Sequence, residues 1–173
     1  MKLDLGSGPN PRQGYQPVDL RFGGQNVFGR LNFPDNSVEQ IWASHILEHE
    51  THRRTVTVLE DWKRVLVPGG QLEVVVPNLG HDALVVAISE LLGRDSVHLA
   101  EMIFAHQEYE YSFHKTAFTK KILHGCFQEA GFRSIQAKGA CYKVKYGLNR
   151  KKYGISHMIS LVKKPELYAV GVK

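Results

Sequence analysis

The chain has 173 residues, 43% of them apolar and 23% charged, enough for one globular domain over 1–173 with a buried core and too apolar for disorder. No run of eighteen apolar residues exists, so no membrane insertion is expected, and the opening MKLDLGSG has neither an apolar stretch nor a cleavage site of a signal peptide. The net charge of +5 is uneven: residues 138–173 hold nine Lys/Arg against Glu166 alone, leaving thirteen basic and sixteen acidic residues in 1–137. Cys126 and Cys141 are too few to staple a domain of this size, which fits a cytoplasmic location.

Short apolar runs alternate with segments of helical period, the pattern of an α/β domain with a largely parallel sheet. Lys2–Gly6 and Gln16–Leu20 read as the first two strands, Gln25–Phe28 as a weak third, and Val38–Ser44 as a fourth. Pro34-Asp35-Asn36-Ser37 is turn chemistry that delivers the chain to that fourth strand. His45–Leu66 is expected to be mostly helical, with Val56, Leu59, Trp62, Val65 and Leu66 on one face and Pro68-Gly69-Gly70 as its stop. Gln71–Val76, β-branched and apolar, is a central strand. Helical segments follow at 81–92, about 97–105 and 116–130, the last ending at Gly131; 133–137 and 167–172 close the sheet. The basic, Gly- and Tyr-containing stretch 142–157 reads as a long surface loop.

The sharpest chemical signal is Asp4-Leu5-Gly6-Ser7-Gly8 after the first strand. Glycines there let a ligand approach the backbone, at the carboxyl edge where open α/β sheets bind ligands. Asp19 ends the next strand, placed to accept hydrogen bonds from ribose hydroxyls. A dinucleotide fingerprint would need a third small residue where Pro11 stands, and only fourteen residues separate Asp4 from Asp19. Gly14 ends any helix begun at Asn10-Pro11 almost at once, so a pyrophosphate would find no firm helix N-terminus. A ligand with a ribose and no diphosphate fits better than NAD.

The order LDLGSGPN, PVDL, FPDNSVEQIWASHILEH and VLEDWKRVLVPGGQLEVVVPNL resembles the class I S-adenosylmethionine-dependent methyltransferases, and is closest to small members whose first helix is reduced to a loop. The similarity runs from Lys2 to about Asn78 and continues more weakly through 113–132. It implies a Rossmann-like, mostly parallel sheet of seven strands, with an antiparallel last strand and helices on both faces, and S-adenosylmethionine as cofactor. By the same resemblance Asp4 reaches the methionine ammonium, Gly6, Ser7 and Gly8 lie against methionine and ribose, and Asp19 with Leu20 holds the ribose. Asn32 and Phe33 fall on the adenine side, and Ser44 and His45 on the methyl-transfer side. Relatives place an acid before the Pro-Asp segment to accept from the adenine amino group; here no acid occurs between Asp19 and Asp35, which leaves the Asn26 amide oxygen or backbone groups as the substitute. The first strand begins at residue 2, so the covering helices that precede it in relatives are not in this sequence; a homodimer, a large substrate or the 142–157 loop would supply cover.

Methyl transfer is an in-line displacement in which the cofactor carries the hard chemistry and the protein aligns the nucleophile and takes a proton from a hydroxyl acceptor. His45 and His114 are the candidate bases, titrating near neutrality without help; each could instead serve only local packing. Tyr109 and Tyr111 are candidates for a substrate wall. His45-Ile46-Leu47-Glu48-His49 matches H-x-x-E-H, an inverted zinc-protease pattern, but it begins at a strand end where that pattern needs a full helix, so no metal is expected. The basic tail points to an anionic or sugar-bearing acceptor methylated at oxygen or nitrogen. RNA is the more specific alternative, because Tyr142, Tyr146 and Tyr153 interleave with Lys143, Lys145, Arg150, Lys151 and Lys152. A rival reading keeps the fold as a non-catalytic module that binds the cofactor and, through the same tail, RNA or another anionic partner.

Overall fold

Leu3 and Leu5, both fully buried, place the first strand β1 (Lys2–Leu5) in the middle of a sheet. In a computed structural model, which describes residues 1–22, 24–93, 101, 103–108, 110–140 and 166–173, β1 pairs in parallel with β2 (Gln16–Val18) and with β3 (Val38–Ser44). β3 pairs in parallel with β4 (Leu66–Pro77), β6 (Glu166–Val172) runs antiparallel against β4, and β5 (Arg133–Ala140) antiparallel against β6. The order is β2-β1-β3-β4-β6-β5, a mostly parallel Rossmann-like sheet closed by an antiparallel last strand, as the resemblance implies. Among the described residues, the longer helices are α1 (Thr55–Val65), α2 (Leu79–Leu91) and α3 (Lys120–Glu129).

Two expectations give way. Gln25–Phe28 is a turn, so the sheet has six strands among the described residues instead of seven. The Asn26 side chain accepts from the Phe28 N–H at 2.9 Å and the Val27 carbonyl from the indole N–H of Trp62 at 2.8 Å. Backbone groups that a sheet neighbour would have met are thereby satisfied locally and by α1. The segment after β3 is also not one helix. A 3-10 turn covers Leu47–His49, Glu50 is extended, and α1 begins only at Thr55. His45 starts this break in the left-handed region, φ 53°, with its N–H committed to the Val75 carbonyl at 2.9 Å.

The register fixes what each face carries. Leu3 stands beside Ile41, Ile41 beside Leu72, and Val74 beside Ala169, so one face is continuous hydrocarbon. α1 and α3 cover it with Val58, Leu59, Trp62, Val65, Leu123 and Phe127, all buried. Gly171 belongs to this face by necessity: a Cβ there would stand 2.7 Å from the Phe127 ring. On the opposite face, at β1 and β3, cover comes from the 9–15 loop. The Arg12 guanidinium stacks over Trp42 at 4.2 Å, and the Tyr15 hydroxyl donates to Gln40 at 3.2 Å. α2 packs at the carboxyl edge, where its Leu79 N–H donates to the Phe118 carbonyl at 2.9 Å. The expected helix over 116–130 is α3 with Thr119 as its N-cap and Gly131, φ 77°, just past its end. Most of the 97–105 segment, and the whole 142–157 stretch with Cys141, lie outside the described residues.

Candidate functional site

In this sheet the strand order reverses between β1 and β3, which puts a crevice at their carboxyl ends. The glycine loop leaves β1 there. Gly6 and Gly8 both take positive φ, 67° and 57°. Gly6 is demanded by packing as well: a Cβ would stand 2.5 Å from Ile46 Cγ1, so the loop after β3 closes directly over it. No helix forms across 7–15, as the sequence indicates, and a cleft of about 300 Å³ remains, lined by Ser7, Gly8, Pro11, Pro17, Asp19 and Phe22 among others.

Asp19 sits at the mouth of this cleft. Its carboxylate accepts from the Gly8 N–H at 2.9 Å on one oxygen and from the Arg21 N–H at 2.9 Å on the other. Those two bonds tie the glycine loop to the turn after β2 and orient the carboxylate, while its remaining lone pairs can accept from a diol. Leu20 and Phe22, which leave about half their surfaces exposed, follow it in a 3-10 turn and give the rim an apolar edge. Asp4 lies behind the loop, 4% exposed, and accepts from the Arg12 N–H at 2.7 Å. Burial pushes its carboxyl above the ordinary range, partly offset by that bond.

The stretch on the expected adenine side is held by one side chain. Arg64 of α1 donates to the carbonyls of Leu31 at 2.8 Å and Phe33 at 3.0 Å, and pairs with Asp61 at 2.8 Å and Asp35 at 2.6 Å. Asp61 in turn accepts from the Leu31 N–H at 2.7 Å. Asn32 is exposed with its N–H on Gln25 at 2.7 Å, while the Phe33 side chain packs partly into the core. The Asn26 side-chain oxygen is used within its own turn.

On the other side of the crevice, Ser44 ends β3 half-buried and His45 begins the loop. The His45 ring lies between two buried carboxylates: Nδ1 is 3.5 Å from Glu48 and Nε2 3.4 Å from Glu166. Burial alone would lower its pKa, but the two carboxylates outweigh it and hold the imidazole up at about 10, an imidazolium at neutral pH. Glu48 shows the reverse balance. Burial favours its acid form, yet His45 keeps it below the ordinary carboxylate range.

His114 joins from a segment 66 residues beyond Glu48, stitched in place by backbone: the Lys115 and Thr116 N–H groups donate to the Glu48 carbonyl at 2.8 and 3.1 Å. Its Nδ1 lies 3.0 Å from the Ile103 carbonyl and its Nε2 3.9 Å from Glu48 Oε1. Burial lowers its pKa against the pull of Glu48. His49 reaches across to the Phe113 carbonyl at 3.0 Å, edge-on to the His114 ring. Tyr111 is exposed nearby in sequence, and Tyr109 lies outside the described residues.

Sequence reasoning thus assembles the glycine loop, Asp19, Ser44, His45 and His114 around one edge of the sheet. It misses Glu166, Glu48 as a buried carboxylate in its own right, and Phe22. Glu166 carried a signal, being the lone acid in a stretch with nine cations.

Residues 10–74 match the family described as methyltransferase domain. No curated protein matched the chain by sequence. Among solved structures, an S-adenosylmethionine-dependent methyltransferase from Archaeoglobus fulgidus is 14% identical, with a TM-score of 0.62 over 99% of this chain and 85% of that one. One from Mesorhizobium loti is 13% identical, with a TM-score of 0.60 over 99% and 90%. A phosphoethanolamine N-methyltransferase of Haemonchus contortus, solved with S-adenosylmethionine, is 15% identical, with a TM-score of 0.64; this chain is covered over 99% and spans 48% of that one. The family match covers β2, β3, α1 and most of β4, and the sheet has the fold of these S-adenosylmethionine-dependent methyltransferases.

Proposed function

We propose that the cleft beside Asp19 holds S-adenosylmethionine and that the edge formed by Ser44, His45 and His114 receives the methyl acceptor. The observation that carries this reading is Asp19 itself, a carboxylate held by two backbone amides at the mouth of a cleft of about 300 Å³, a volume at the lower end of small-molecule sites. The flanking Leu20 and Phe22 offer an apolar surface for a purine, which adenine binding without an acidic partner requires. Asp4, behind the loop and tied to the Arg12 N–H, is the carboxylate assigned to the methionine ammonium. The cofactor supplies an activated methyl group; the protein's part is to align it and to exclude water.

The acceptor side is polar and buried. His45, as imidazolium, donates to an acceptor and cannot take its proton. His114 keeps a lone pair on Nε2, the atom there able to take up a cation. The basic residues of 138–173 support an anionic or sugar-bearing acceptor, methylated at oxygen or nitrogen, with RNA as the macromolecular form of the same charge logic. Most of that stretch, including Tyr142, Tyr146 and Tyr153, lies outside the described residues. The test is transfer of label from methyl-labelled S-adenosylmethionine to a panel of sugar phosphates, phosphorylated amines and RNA at low and high salt. Label entering an anionic acceptor supports the proposal. Label entering only neutral acceptors refutes the acceptor class, and cofactor binding with no transfer to any acceptor favours the non-catalytic module.

A further inference from the structure

The buried acids and histidines of the acceptor edge contain a pairing that hydrogen bonding leaves unresolved. Glu48 is 1% exposed, and neither carboxylate oxygen has a hydrogen-bond partner. An ionised carboxylate in that position is costly unless a cation or donor meets it. Its nearest cationic atom, His45 Nδ1, stands 3.5 Å away, well beyond a charge-assisted hydrogen bond. On its other side is His114 Nε2 at 3.9 Å.

The tautomer of His114 follows from its partner. A carbonyl oxygen only accepts, so the nitrogen 3.0 Å from the Ile103 carbonyl, Nδ1, carries the proton. In the neutral ring Nε2 is then a lone pair, and it faces a carboxylate oxygen. Two acceptor atoms thus face each other 3.9 Å apart beside a buried carboxylate. His49 repeats the arrangement, its Nδ1 donating to the Phe113 carbonyl at 3.0 Å and leaving its lone pair on Nε2. A ring N–H given to a backbone carbonyl is the outer-shell bond that fixes the tautomer and orientation of metal-binding histidines. One ligand atom from each of Glu48, His49 and His114 lies within 4.8 Å of the other two.

We infer that Glu48, His49 and His114 form a site for a divalent transition-metal ion of the zinc class. A carboxylate and two imidazoles are a donor set zinc accepts, and three protein ligands leave a fourth position for water or an acceptor oxygen. Tetrahedral bonds of about 2.0–2.1 Å bring ligand atoms to roughly 3.3 Å from one another, so closure needs contraction of about 1.5 Å or less, within reach of side-chain rotation. The backbone needs no movement, because Lys115 and Thr116 already bind the 113–116 segment to Glu48, and the Thr116 hydroxyl donates to the Glu50 carbonyl at 2.7 Å. The inverted H-x-x-E-H pattern contributes only its last two residues. The third ligand comes from a distant segment, and the 3-10 turn at 47–49 replaces the helix a zinc protease would use. This site stands on the cluster alone and is independent of which acceptor the enzyme uses.

The test is titration of chelator-treated protein with zinc chloride by calorimetry and with cobalt chloride by visible absorption. One equivalent of each ion is expected to bind, with the intense visible bands of a low-coordinate cobalt centre. H49A and H114A should each weaken binding by more than about a hundredfold, beyond the 10–100-fold that loss of an outer-shell partner costs. E48Q should weaken it by at least about tenfold, and H52A, an exposed neighbour, should leave it unchanged. H49Q and H114Q, near in volume, guard against misfolding and are checked by circular dichroism and by S-adenosylhomocysteine binding, which should survive. No uptake by the folded wild type, or undiminished uptake by folded H114A or H114Q, overturns the inference. So does ring-nitrogen NMR showing His114 doubly protonated at neutral pH with zinc in excess.

Discussion

Gly6 shows how much one residue decides. Its φ of 67° and the 2.5 Å approach of Ile46 Cγ1 to where a Cβ would sit leave room for hydrogen alone. G6A should therefore lower stability by about 2–4 kcal/mol, combining left-handed strain with overpacking. Urea denaturation measures this, and a loss below about 0.5 kcal/mol, the ordinary scale of a surface change, would mean that Ile46 does not close over the loop. The sequence made this glycine legible as a ligand-approach position. Its second reason, the side chain from the loop after β3, comes from a tertiary contact 40 residues away that no local pattern encodes. His45 shows the same limit: its place in the sequence marks a strand end, but its charge is set by Glu166, which arrives from the far end of the chain.

At the scale of elements, α1 holds the chain between β2 and β3 through two side chains. Trp62, fully buried, donates to Val27, and Arg64 grips the backbone of 31–33; both hold a stretch that would otherwise have had to form an edge strand. W62F keeps most of the apolar contact and leaves the Val27 carbonyl without its donor, so it should cost about 1–3 kcal/mol. R64M should cost about 2 kcal/mol or more, because two partly buried carbonyls lose their donor, and it should weaken cofactor binding as the 31–33 segment loosens. Thermal unfolding and S-adenosylhomocysteine titration of each variant check these values; an R64M protein as stable as wild type would show that the segment is held otherwise. The helical face of α1 was readable because period 3.6 survives in Val58, Leu59, Trp62 and Val65. The missing strand at 25–28 was not. Its weak apolar pattern buries Val27 and packs Phe28 partly against the core, and Asn26 closes the turn with a side chain that propensity counts cannot place.

Across the whole molecule, the mostly parallel sheet with its antiparallel last strand was legible from alternating strand and helix patterns joined to a family resemblance, since parallel strands need crossovers and so advertise themselves in sequence. How that last strand is anchored was not legible. Lys173 spends its three ammonium protons on Asn36 at 2.7 Å, the Arg64 carbonyl at 2.9 Å and the Leu66 carbonyl at 2.7 Å, joining β6 to the end of α1, where its charge also meets the helix dipole. K173M should lower stability by about 1–3 kcal/mol, with K173R recovering part of it. A neutral K173M would assign the closure of β6 to its strand pairing alone. The cleft beside Asp19, proposed to hold the cofactor, was readable because it follows one strand end and one acid. The acceptor side gathers Glu48, His114 and Glu166 from three separated segments, and only folding brings them together.

The central claim is that the cleft beside Asp19 binds the cofactor, and calorimetric titration with S-adenosylmethionine and S-adenosylhomocysteine, wild type against D19A, tests it most directly. Binding of both ligands to the wild type, weakened at least about tenfold in D19A, or 1.4 kcal/mol, is the expected result. Absence of binding to a folded wild type, or equal affinity in a folded D19A, would contradict it.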